Sequence, residues 1–489
     1  MRYTAVALDF DGTIAHDSEV PAHVVEGLKR LKATGRKLLL VTGRELPELL
    51  AIFKEVDLFD RVVAENGALL YRPHNGERVE LGEAPPQALL DLLRARGVPI
   101  SVGASIIATV EPHETVVLQS IRELGLERPV IFNKGAVMIL PPGINKASGL
   151  AHALDELGLS ARNLVAAGDA ENDHALLDAA EYSVAVANAI TTLKQAADRV
   201  TAGMRGDGVL EVIADLVGND LKASPPRRER RALAIGKDAA GKDVLLPPAG
   251  VSMLVTGGHG SGKSTFTRRV LERLCTAGYQ FCVLDGRGEY LDFNPAVVFG
   301  TRENAPDPFD ILTALEKPHI QAVVCLAAVL PAKRAAFFEK LNTELRALRE
   351  KTGRPHWLVI DEAQELVPRM ETAINEAGAP AENTIYVTSD PAAIDPRIVA
   401  SVQVVAVRGA NARASLESLA AVLRGQTTVS EENRGLTPVF AEPLRAPGES
   451  EALIWFRNTG RAPQLVTLPP RTHPDRPIRN DVGRLLRRA

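Results

Sequence analysis

Short apolar runs rich in β-branched residues alternate with longer helical patterns along most of this 489-residue chain. This alternation predicts parallel sheets with helical crossover connections, and therefore an α/β fold. It fails between residues 216 and 232, where Pro, Ser and Arg collect. Because the chain is too long for one ordinary core, we predict two α/β units joined by a basic linker.

The pattern also predicts how each unit is divided. Predicted strands of the first unit are residues 3–8, 37–41, 61–64 and 164–167, with helices near 24–34 and 46–55. Strand-like pieces around a helix at 114–124 predict an α+β insertion. The predicted strands of the second unit are residues 251–256, 280–285, 322–326, 357–361, 384–388 and 402–407. The predicted divisions are 1–71 and 143–215 for the first core, 72–142 for the insertion, 216–232 for the linker, 233–468 for the second domain and 469–489 for a basic tail.

The segment Asp9-Phe10-Asp11-Gly12-Thr13 follows directly on the first predicted strand. Two carboxylates two residues apart at the end of a strand can both reach one phosphorus atom. Asp9 would act as the nucleophile and form an aspartyl-phosphate. Asp11 would protonate the leaving oxygen and then activate the water that resolves the intermediate. Gly12 allows the sharp turn of the backbone past the phosphate.

Three further pieces occur in the order that a phosphatase site requires. Thr42, in Thr42-Gly43-Arg44, places a hydroxyl group and backbone amides where a phosphate could be held. Lys146 can supply positive charge to the nucleophile and the phosphoryl oxygens. The segment Gly168-Asp169-Ala170-Glu171-Asn172-Asp173 offers carboxylates suited to Mg²⁺, which would be shared with Asp9.

These motifs resemble the haloacid dehalogenase (HAD) superfamily, specifically its Cof-type branch, over roughly residues 1–215. The resemblance extends to Val186-Ala187-Asn188-Ala189 and Asp207-Gly208-Val209. It implies a Rossmann-like core, with the insertion folded over the active site as a cap. It further implies that Mg²⁺ is held by Asp9, Asp169 and the backbone carbonyl of Asp11, with Asn172 and Asp173 completing or supporting the site. A cap of about 70 residues should admit a small phosphorylated molecule and exclude a polymer. Three polar residues of the cap could contact a sugar or polyol or could be surface residues: Glu111, His113 and Glu114.

The segment Gly257-Gly258-His259-Gly260-Ser261-Gly262-Lys263-Ser264 matches a P-loop, with a strand before it and a helical pattern after it. Such glycines leave backbone N–H groups free to wrap the phosphates of ATP. Lys263 would contact the β- and γ-phosphates, and Ser264 would bind Mg²⁺. The predicted nucleotide-binding residues are Gly257, Gly260, Ser261, Gly262, Lys263, Ser264 and Thr265.

A second acidic site follows the apolar run 357–360, where Asp361 would complete the metal shell. Glu362 beside it could orient and deprotonate a water molecule. A kinase has less need of this second carboxylate, so the pair favours ATP hydrolysis.

The second half resembles the HerA/FtsK-type ATPases over roughly residues 232–465. Supporting segments are Ile235–Asp238 with Lys242–Val244 as a lead-in hairpin, Leu284–Tyr290 as a second-strand motif, and Asp361–Leu366 as the Walker B segment. Thr388-Ser389-Asp390-Pro391 falls where that family usually has Thr-Gln-x-Pro, so the sensor amide is replaced by Ser389. The resemblance implies a hexameric ring, translocation on DNA, and an arginine that completes a neighbour's site, for which the candidates are Arg397, Arg408 and Arg434.

Net charge, apolar run length and cysteine content give weaker indications about nucleic-acid binding, membrane insertion and cellular compartment. The formal net charge is −4, so basic character is local: a cluster at 225–231 and a tail at 471–488. These clusters could bind phosphate backbones or be solvated segments, and residues 326–338 are another candidate DNA contact. The absence of an apolar run of about 20 residues predicts no membrane span, and three scattered cysteines fit a cytoplasmic protein.

Three readings remain open. The first is a capped small-molecule phosphatase joined to an oligomeric ATPase that could engage DNA. The second is a nucleic-acid end-processing phosphatase and kinase, which the cap and Glu362 disfavour. The third is a phosphatase regulated by an ATPase switch with no role on DNA.

Overall fold

The computed structural model describes residues 1–227, 229–369, 381–424 and 445–470. Contacts divide the chain between Glu229 and Arg230 into two compact units. Each unit contains its own α/β sheet, which confirms the predicted fold class. Within the described ranges, no helix is long and apolar enough to cross a lipid bilayer.

The first unit contains twelve strands and eight α-helices in its described residues. The strands are β1 (Ala5–Leu8), β2 (Lys37–Val41), β3 (Arg61–Ala64), β4 (Leu69–Arg72), β5 (Glu77–Glu80), β6 (Ser101–Val102), β7 (Ile107–Val110), β8 (Val130–Asn133), β9 (Ala136–Ile139), β10 (Leu164–Gly168), β11 (Tyr182–Ala185) and β12 (Arg199–Val200). The helices are α1 (Ala22–Ala33), α2 (Leu46–Ile52), α3 (Gln87–Ala95), α4 (Glu114–Glu123), α5 (Lys146–Glu156), α6 (His174–Ala179), α7 (Thr191–Ala196) and α8 (Arg205–Asn219).

The core of this unit is an eight-stranded sheet in the order β12-β11-β10-β1-β2-β3-β4-β5. The six strands from β12 to β3 are parallel, and β4 and β5 add an antiparallel edge. Strand β1 is apolar throughout because both faces of the sheet are covered. Leu8 packs in a cluster with Leu28 of α1, whereas Ala7 packs on the opposite face with Leu150 of α5.

The insertion forms a separate four-stranded antiparallel sheet in the order β6-β7-β9-β8. Helices α3 and α4 supply its apolar core, in which Leu89, Leu93 and Val117 are fully buried. The predicted start of the insertion at residue 72 is wrong, because β5 pairs with β4 in the core sheet. Strand β5 has charged residues at three of its four positions, so its sequence lacks the apolar pattern that marks a core strand.

The predicted linker 216–232 also begins too early. Helix α8 continues to Asn219, and the chain beyond it still contacts the first unit. The Tyr182 hydroxyl donates to the carbonyl of Ser224 at 3.0 Å, and the amide of Arg227 donates to the carbonyl of Asp198 at 2.9 Å. Local composition placed the boundary too early because the segment after α8 contributes backbone atoms to both contacts, and any residue type can supply these.

The second unit contains eleven strands and six α-helices in its described residues. The strands are β13 (Leu233–Lys237), β14 (Asp243–Leu246), β15 (Met253–Thr256), β16 (Phe281–Asp285), β17 (Val297–Phe299), β18 (Ala322–Cys325), β19 (Trp357–Ile360), β20 (Thr384–Thr388), β21 (Val404–Val407), β22 (Glu451–Phe456) and β23 (Gln464–Thr467). The helices are α9 (Lys263–Thr276), α10 (Pro308–Leu315), α11 (Pro331–Thr352), α12 (Ala363–Leu366), α13 (Pro396–Ser401) and α14 (Ala412–Arg424).

These strands form one sheet in the order β14-β13-β23-β22-β21-β15-β20-β19-β16-β18-β17. Strands from β21 to β17 are parallel, and all six strands predicted for this region lie among them. The predicted lead-in hairpin is present as the antiparallel pair β13–β14. Strand β20 lies between β15, which leads into the P-loop, and β19, which leads into Asp361. The tail from residue 471 onward lies outside the described residues.

Candidate active sites

Asp9 and Asp169 emerge side by side at the carboxyl edge of the first sheet. Because β1 and β10 are parallel and Leu8 pairs with Ala167, the residues that follow both strands meet at one edge. Both side chains are buried, and oxygen atoms of Asp9, Asp169 and Asp173 lie within 4.8 Å of one another. Three converging carboxylates suit a hard divalent cation such as Mg²⁺.

Lys146 is the buried counter-charge of this cluster. Its Nζ donates to Asp9 Oδ1 and to Asp173 Oδ1, each at 2.6 Å. The lysine is the first residue of α5, whose N-terminus is capped by the Asn145 side chain. Burial acts to lower the pKa of Lys146, but attraction to Asp173 and Asp9 outweighs it and raises the pKa. Lys146 is therefore held charged beside the predicted nucleophile.

Asp173 organises the loop in addition to binding Lys146. Its Oδ2 accepts hydrogen bonds from the amides of Asp169 and Ala170, each at 2.9 Å. Asn172 instead donates its amide to Asn66 Oδ1 at 2.9 Å. Asn172 and Asp173 were predicted together to complete or support the metal site, but they differ in position. Asp173 lies in the acidic cluster, whereas Asn172 and Asn66 lie beside Gly43 of the Thr42-Gly43-Arg44 motif.

The pKa of Asp9 is raised to about 7, chiefly by burial and then by the negative charge of Asp173, with Lys146 opposing both. Burial likewise raises the pKa of Asp169. Ionised carboxylates are therefore costly here in the absence of further positive charge. A bound cation would supply that charge, so the electrostatics agree with the ligand geometry.

Asp11 is held by Arg44. The guanidinium donates to both carboxylate oxygens of Asp11, at 2.6 and 2.7 Å, and stacks over the Phe10 ring. Thr42 is fully buried, and its Oγ1 accepts a hydrogen bond from the amide of Arg44. The sequence placed Arg44 in a phosphate-holding motif, but its contact with the predicted acid–base residue was not predicted.

Two other residues of the site were missed from the sequence. Asn188 donates to Asp169 Oδ2 at 3.2 Å and to the Gly12 carbonyl at 2.8 Å. Lys134, from the cap, donates to the Asp11 carbonyl at 2.9 Å and to Asp169 Oδ2 at 2.7 Å. Asn188 stands in a segment already noted for its family resemblance, whereas nothing local marked Lys134.

The three cap residues named from the sequence lie near the start of α4. His113 precedes its first residue, Glu114 lies in its first turn, and Glu111 is exposed. The backbone amide of Glu111 donates to the Gly135 carbonyl, so it adjoins the β8–β9 turn.

Replacing Lys146 by Met should destabilise the first domain by about 3–5 kcal/mol at pH 8, because two buried carboxylates lose their shared cation. Since the pKa of Lys146 is raised, its stabilising charge is fully present at every pH below about 10.5. The difference in free energy of unfolding between Lys146→Met and the wild type should shrink as the pH falls toward 5, because protonation of Asp9 removes one buried negative charge that has lost its partner.

The measurement is denaturation followed by circular dichroism. Tryptophan emission provides an internal control, because both tryptophans, Trp357 and Trp455, belong to the second domain. In Lys146→Met the unfolding transition followed by tryptophan emission should keep its wild-type midpoint. The exposed Lys29→Met variant should leave the midpoints of both transitions unchanged. An unaltered circular-dichroism transition for Lys146→Met would contradict the role of the ion pairs.

The P-loop of the second unit connects β15 to α9. Gly257, Gly260 and Gly262 all have positive φ, and Gly262 immediately precedes α9. The Lys263 Nζ donates to the carbonyls of Gly257 and Gly258, each at 3.0 Å. Ser264 and Thr265 lie in the first turn of α9, and the Ser264 hydroxyl contacts the carboxylate of Glu289. The loop therefore has the geometry that wraps phosphates at a helix N-terminus.

Asp361 directly follows β19 and is 2% exposed, and its Oδ2 has no hydrogen-bond partner in the described part of the chain. Burial, with repulsion from Asp285 and Glu289, raises its pKa well above the usual value. Burial lowers the pKa of Lys263, whereas Glu362 and Asp361 oppose that shift. A cation between Ser264 and Asp361 would relieve these costs, so the donor set fits Mg²⁺.

Glu362 is 7% exposed and has a φ of 51°, in the left-handed region that side chains other than glycine rarely adopt. One of its carboxylate oxygens lies 2.9 Å from Arg287 Nε, and the other accepts from the Gln364 amide. The Thr388 hydroxyl in turn donates to Gln364 Oε1 at 2.7 Å. Gln364 thus links Glu362 to the end of β20, a contact that the sequence did not reveal.

A cavity of about 430 Å³ adjoins the P-loop and is lined by His259, Ser261, Arg408, Asn411 and Glu449 among others. Arg408 is 3% exposed and donates to the carbonyl of Glu449 at 2.7 Å. Its guanidinium also lies against Gly262 of the P-loop, where an added Cβ would be 2.7 Å from Arg408 Nη2. Arg397 pairs with Asp395, and Arg434 lies outside the described residues.

Comparison with known proteins places the two halves in different families. Residues 6–102 and 104–213 match the family described as haloacid dehalogenase-like hydrolase, and residues 250–426 match the AAA domain. The phosphoglycolate phosphatase of Halorubrum lacusprofundi is 31% identical over 223 residues, which are 43% of this chain and 96% of that protein. That of Methanosarcina acetivorans is 31% identical over 229 residues, or 45% of this chain and 99% of that protein.

Among solved structures, a haloacid dehalogenase-like hydrolase from Bacteroides thetaiotaomicron aligns with a TM-score of 0.40 and 21% identity, covering 44% of this chain and 99% of that one. The family assignment rests on the sequence relatives, which this chain spans almost completely. Through its first domain the chain belongs to the haloacid dehalogenase-like hydrolases, and it is an enzyme that combines a phosphatase of that family with a P-loop ATPase domain of the AAA type.

Proposed function

We propose that the first domain is a Mg²⁺-dependent phosphatase that hydrolyses a small phosphate ester through an aspartyl-phosphate on Asp9. The observation that carries this proposal is the convergence of Asp9, Asp169 and Asp173 around Lys146. Asp9, Asp169 and the Asp11 carbonyl would hold the metal ion. The ion would neutralise charge on the phosphoryl oxygens, so that an anionic nucleophile can approach an anionic ester.

The residues of the chain divide the reaction between them. The Asp9 carboxylate attacks phosphorus while the ester P–O bond breaks, and the Asp11 carboxyl group gives its proton to the leaving oxygen. Asp11, now ionised, takes a proton from water as that water attacks phosphorus and releases Asp9. Lys146 keeps its charge throughout and stabilises Asp9 and the phosphoryl group. Arg44 orients Asp11 through the two hydrogen bonds that it donates.

The substrate that we propose is 2-phosphoglycolate or a similar phosphate ester of a small hydroxy acid. Two features support this choice. The related proteins from Halorubrum and Methanosarcina carry the name phosphoglycolate phosphatase. In addition, the cap contacts the core directly at the acidic cluster through Lys134, which favours a compact substrate over a polymer end.

We further propose that the second domain is a HerA/FtsK-like ATPase that hydrolyses ATP with Mg²⁺ and assembles into a ring. Support comes from the β13–β14 hairpin before the P-loop and from the loop that follows β16. There Asp285 accepts hydrogen bonds from four successive amides, of residues 287–290. This arrangement presents Arg287 to Glu362 and Glu289 to Ser264. Glu362 would deprotonate the attacking water.

Gln364 would serve as the polar sensor that Ser389 does not provide. Replacing Gln364 by Ala should lower kcat for ATP roughly 10-fold with little change in KM, because Glu362 loses the amide that aligns it. Replacing Thr388 by Val should have a similar effect, since its hydroxyl fixes Gln364. The double variant should lose little more than either single variant, because both changes break one relay. Additive losses in steady-state ATPase assays would contradict the relay.

One set of assays tests both halves of the proposal. The full-length protein with Mg²⁺ is given 2-phosphoglycolate, 3′-phosphorylated DNA and ATP, the last with and without DNA. Hydrolysis of 2-phosphoglycolate but not of the DNA end is expected, together with ATP hydrolysis. Transfer of phosphate from ATP to a 5′-hydroxyl end would replace this proposal by the end-processing reading. Stimulation of ATP hydrolysis by DNA, together with a ring-sized particle in sedimentation, would indicate that the second domain is a DNA motor.

A further inference from the structure

The cap contacts the phosphatase site through the tip of its β8–β9 hairpin. The two strands are joined by Lys134 and Gly135, whose φ angles are 50° and 86°. This is the two-residue turn that matches the right-handed twist of a hairpin, and it normally favours Asn or Gly at both positions. A left-handed conformation is unfavourable for lysine, so a residue with this backbone strain is a candidate for a functional side chain.

The Lys134 ammonium lies where the acidic groups converge. Its Nζ is 2.7 Å from Asp169 Oδ2 and 2.9 Å from the Asp11 carbonyl. A Cβ atom on Gly12 would lie 2.5 Å from this Nζ, so the loop is shaped to admit the amine. In contrast to the buried Lys146, the Lys134 side chain is 46% exposed.

The charges of the acidic cluster indicate a role for Lys134 in substrate binding. Asp9, Asp169 and Asp173 carry three negative charges when ionised, and Lys146 supplies one positive charge. A divalent cation would balance the other two. Lys134 and that cation would compete for the same oxygen atoms, so with the cation bound the ammonium is left without an anion. The substrate then supplies the remaining negative charge of the cleft.

Lys146 and the cation would already neutralise the reacting phosphoryl group, so Lys134 would be available for a second anionic group. Two polar side chains with buried oxygen atoms also lie in this part of the cap and core. Asn133 precedes Lys134 in β8, and strand β8 contacts the segment 171–173. The Oδ1 atoms of both Asn133 and Asn172 are buried without a hydrogen-bond partner in the described residues. The cleft is therefore equipped for a polar and charged leaving group.

We propose that Lys134 binds a carboxylate on the alcohol portion of the substrate and thereby selects phosphate esters of small hydroxy acids. The inference rests on the proposed phosphatase function and adds the residue that determines its specificity. Lys134 takes no part in bond breaking. Its contribution is the charge-assisted hydrogen bond to a group remote from phosphorus.

The test compares 2-phosphoglycolate with 2-hydroxyethyl phosphate, which has a hydroxymethyl group in place of the carboxylate. Replacing Lys134 by Met should lower kcat/KM for 2-phosphoglycolate roughly 10- to 100-fold, the range of a hydrogen bond to a charged group. For 2-hydroxyethyl phosphate the change should be under about 3-fold, since no ion pair is lost. Lys134→Arg should retain much of the preference, and Arg128→Met, which removes another cap cation, should behave as wild type.

A binding measurement separates specificity from chemistry and from metal binding. In an Asp9→Asn background, calorimetry should show that Lys134→Met weakens 2-phosphoglycolate binding by a similar factor and does not weaken Mg²⁺ binding. Equal losses on both esters, weakened Mg²⁺ binding or no loss would each overturn the role of Lys134. Wild-type protein that prefers 2-hydroxyethyl phosphate would overturn it while leaving the phosphatase intact. Failure of the wild type on both esters would instead remove the proposed function, and this inference with it.

Discussion

Replacing Asp9 by Asn is expected to lower phosphate-ester hydrolysis by at least about 10³-fold and to leave ATP hydrolysis unchanged. Asparagine keeps the size of the side chain but cannot form the acyl-phosphate. The same change removes one of the three carboxylates that converge on the metal position. Stabilisation of the first domain by Mg²⁺ should therefore also be weakened.

The metal-free variant should be more stable than the wild type at pH 8. A carboxyl group whose pKa is raised on folding destabilises the fold wherever the unfolded chain has already lost that proton, so the cost from Asp9 grows as the pH rises from about 4 and is complete above its folded pKa of about 7. The difference should close as the pH falls through 7 toward 4, because the wild-type carboxyl group then takes up its proton. Thermal unfolding in a chelator measures this dependence.

Asp17→Asn is a matched control, since that side chain is exposed and lies outside the acidic cluster. It should change neither hydrolysis nor stability. Near-normal ester hydrolysis by Asp9→Asn would remove the assignment of the nucleophile. A simultaneous loss of ATP hydrolysis would show instead that the substitution damages the whole protein.

The sequence predicted the parts of this protein that depend on local pattern. Apolar runs located the parallel strands because buried strands must be apolar on both faces. Motifs at the ends of those strands, such as Asp9 to Thr13 and the P-loop, located the chemistry because parallel strands bring their carboxyl ends to one edge. Proximity of Asp9 to Asp169 thus follows from the pairing of β1 with β10.

Contacts between distant segments could not be predicted in the same way. Lys134 lies 123 residues from Asp11 on a cap hairpin whose position over the core is set by tertiary packing. Gln364 and Thr388 were both inside quoted motifs, but their hydrogen bond depends on the adjacency of β19 and β20. The charged strand β5 was assigned to the insertion because it has no apolar face to mark it as part of the core sheet.

Replacing Glu362 by Gln is expected to lower ATP hydrolysis by about 10²- to 10⁴-fold, the range associated with the loss of a general base. ATP binding should persist, because the groups that surround the phosphates, Lys263 and the P-loop amides, are untouched. Glutamine can still accept a hydrogen bond from Arg287 and retain the shape of the site, but it cannot take a proton from water. The loss should therefore appear in kcat, with the dissociation constant of a fluorescent ATP analogue nearly unchanged.

Two comparisons make this result specific to Glu362. Glu350→Gln, at an exposed position on α11, should hydrolyse ATP at the wild-type rate, whereas Lys263→Ala should lose ATP binding itself. Ester hydrolysis should continue in all three variants, because the two domains bind phosphate through separate loops. If Glu362→Gln retained its ATPase rate, water would have to be activated by another group. Glu289 would then be the next candidate, since its carboxylate already contacts Ser264 at the predicted metal position.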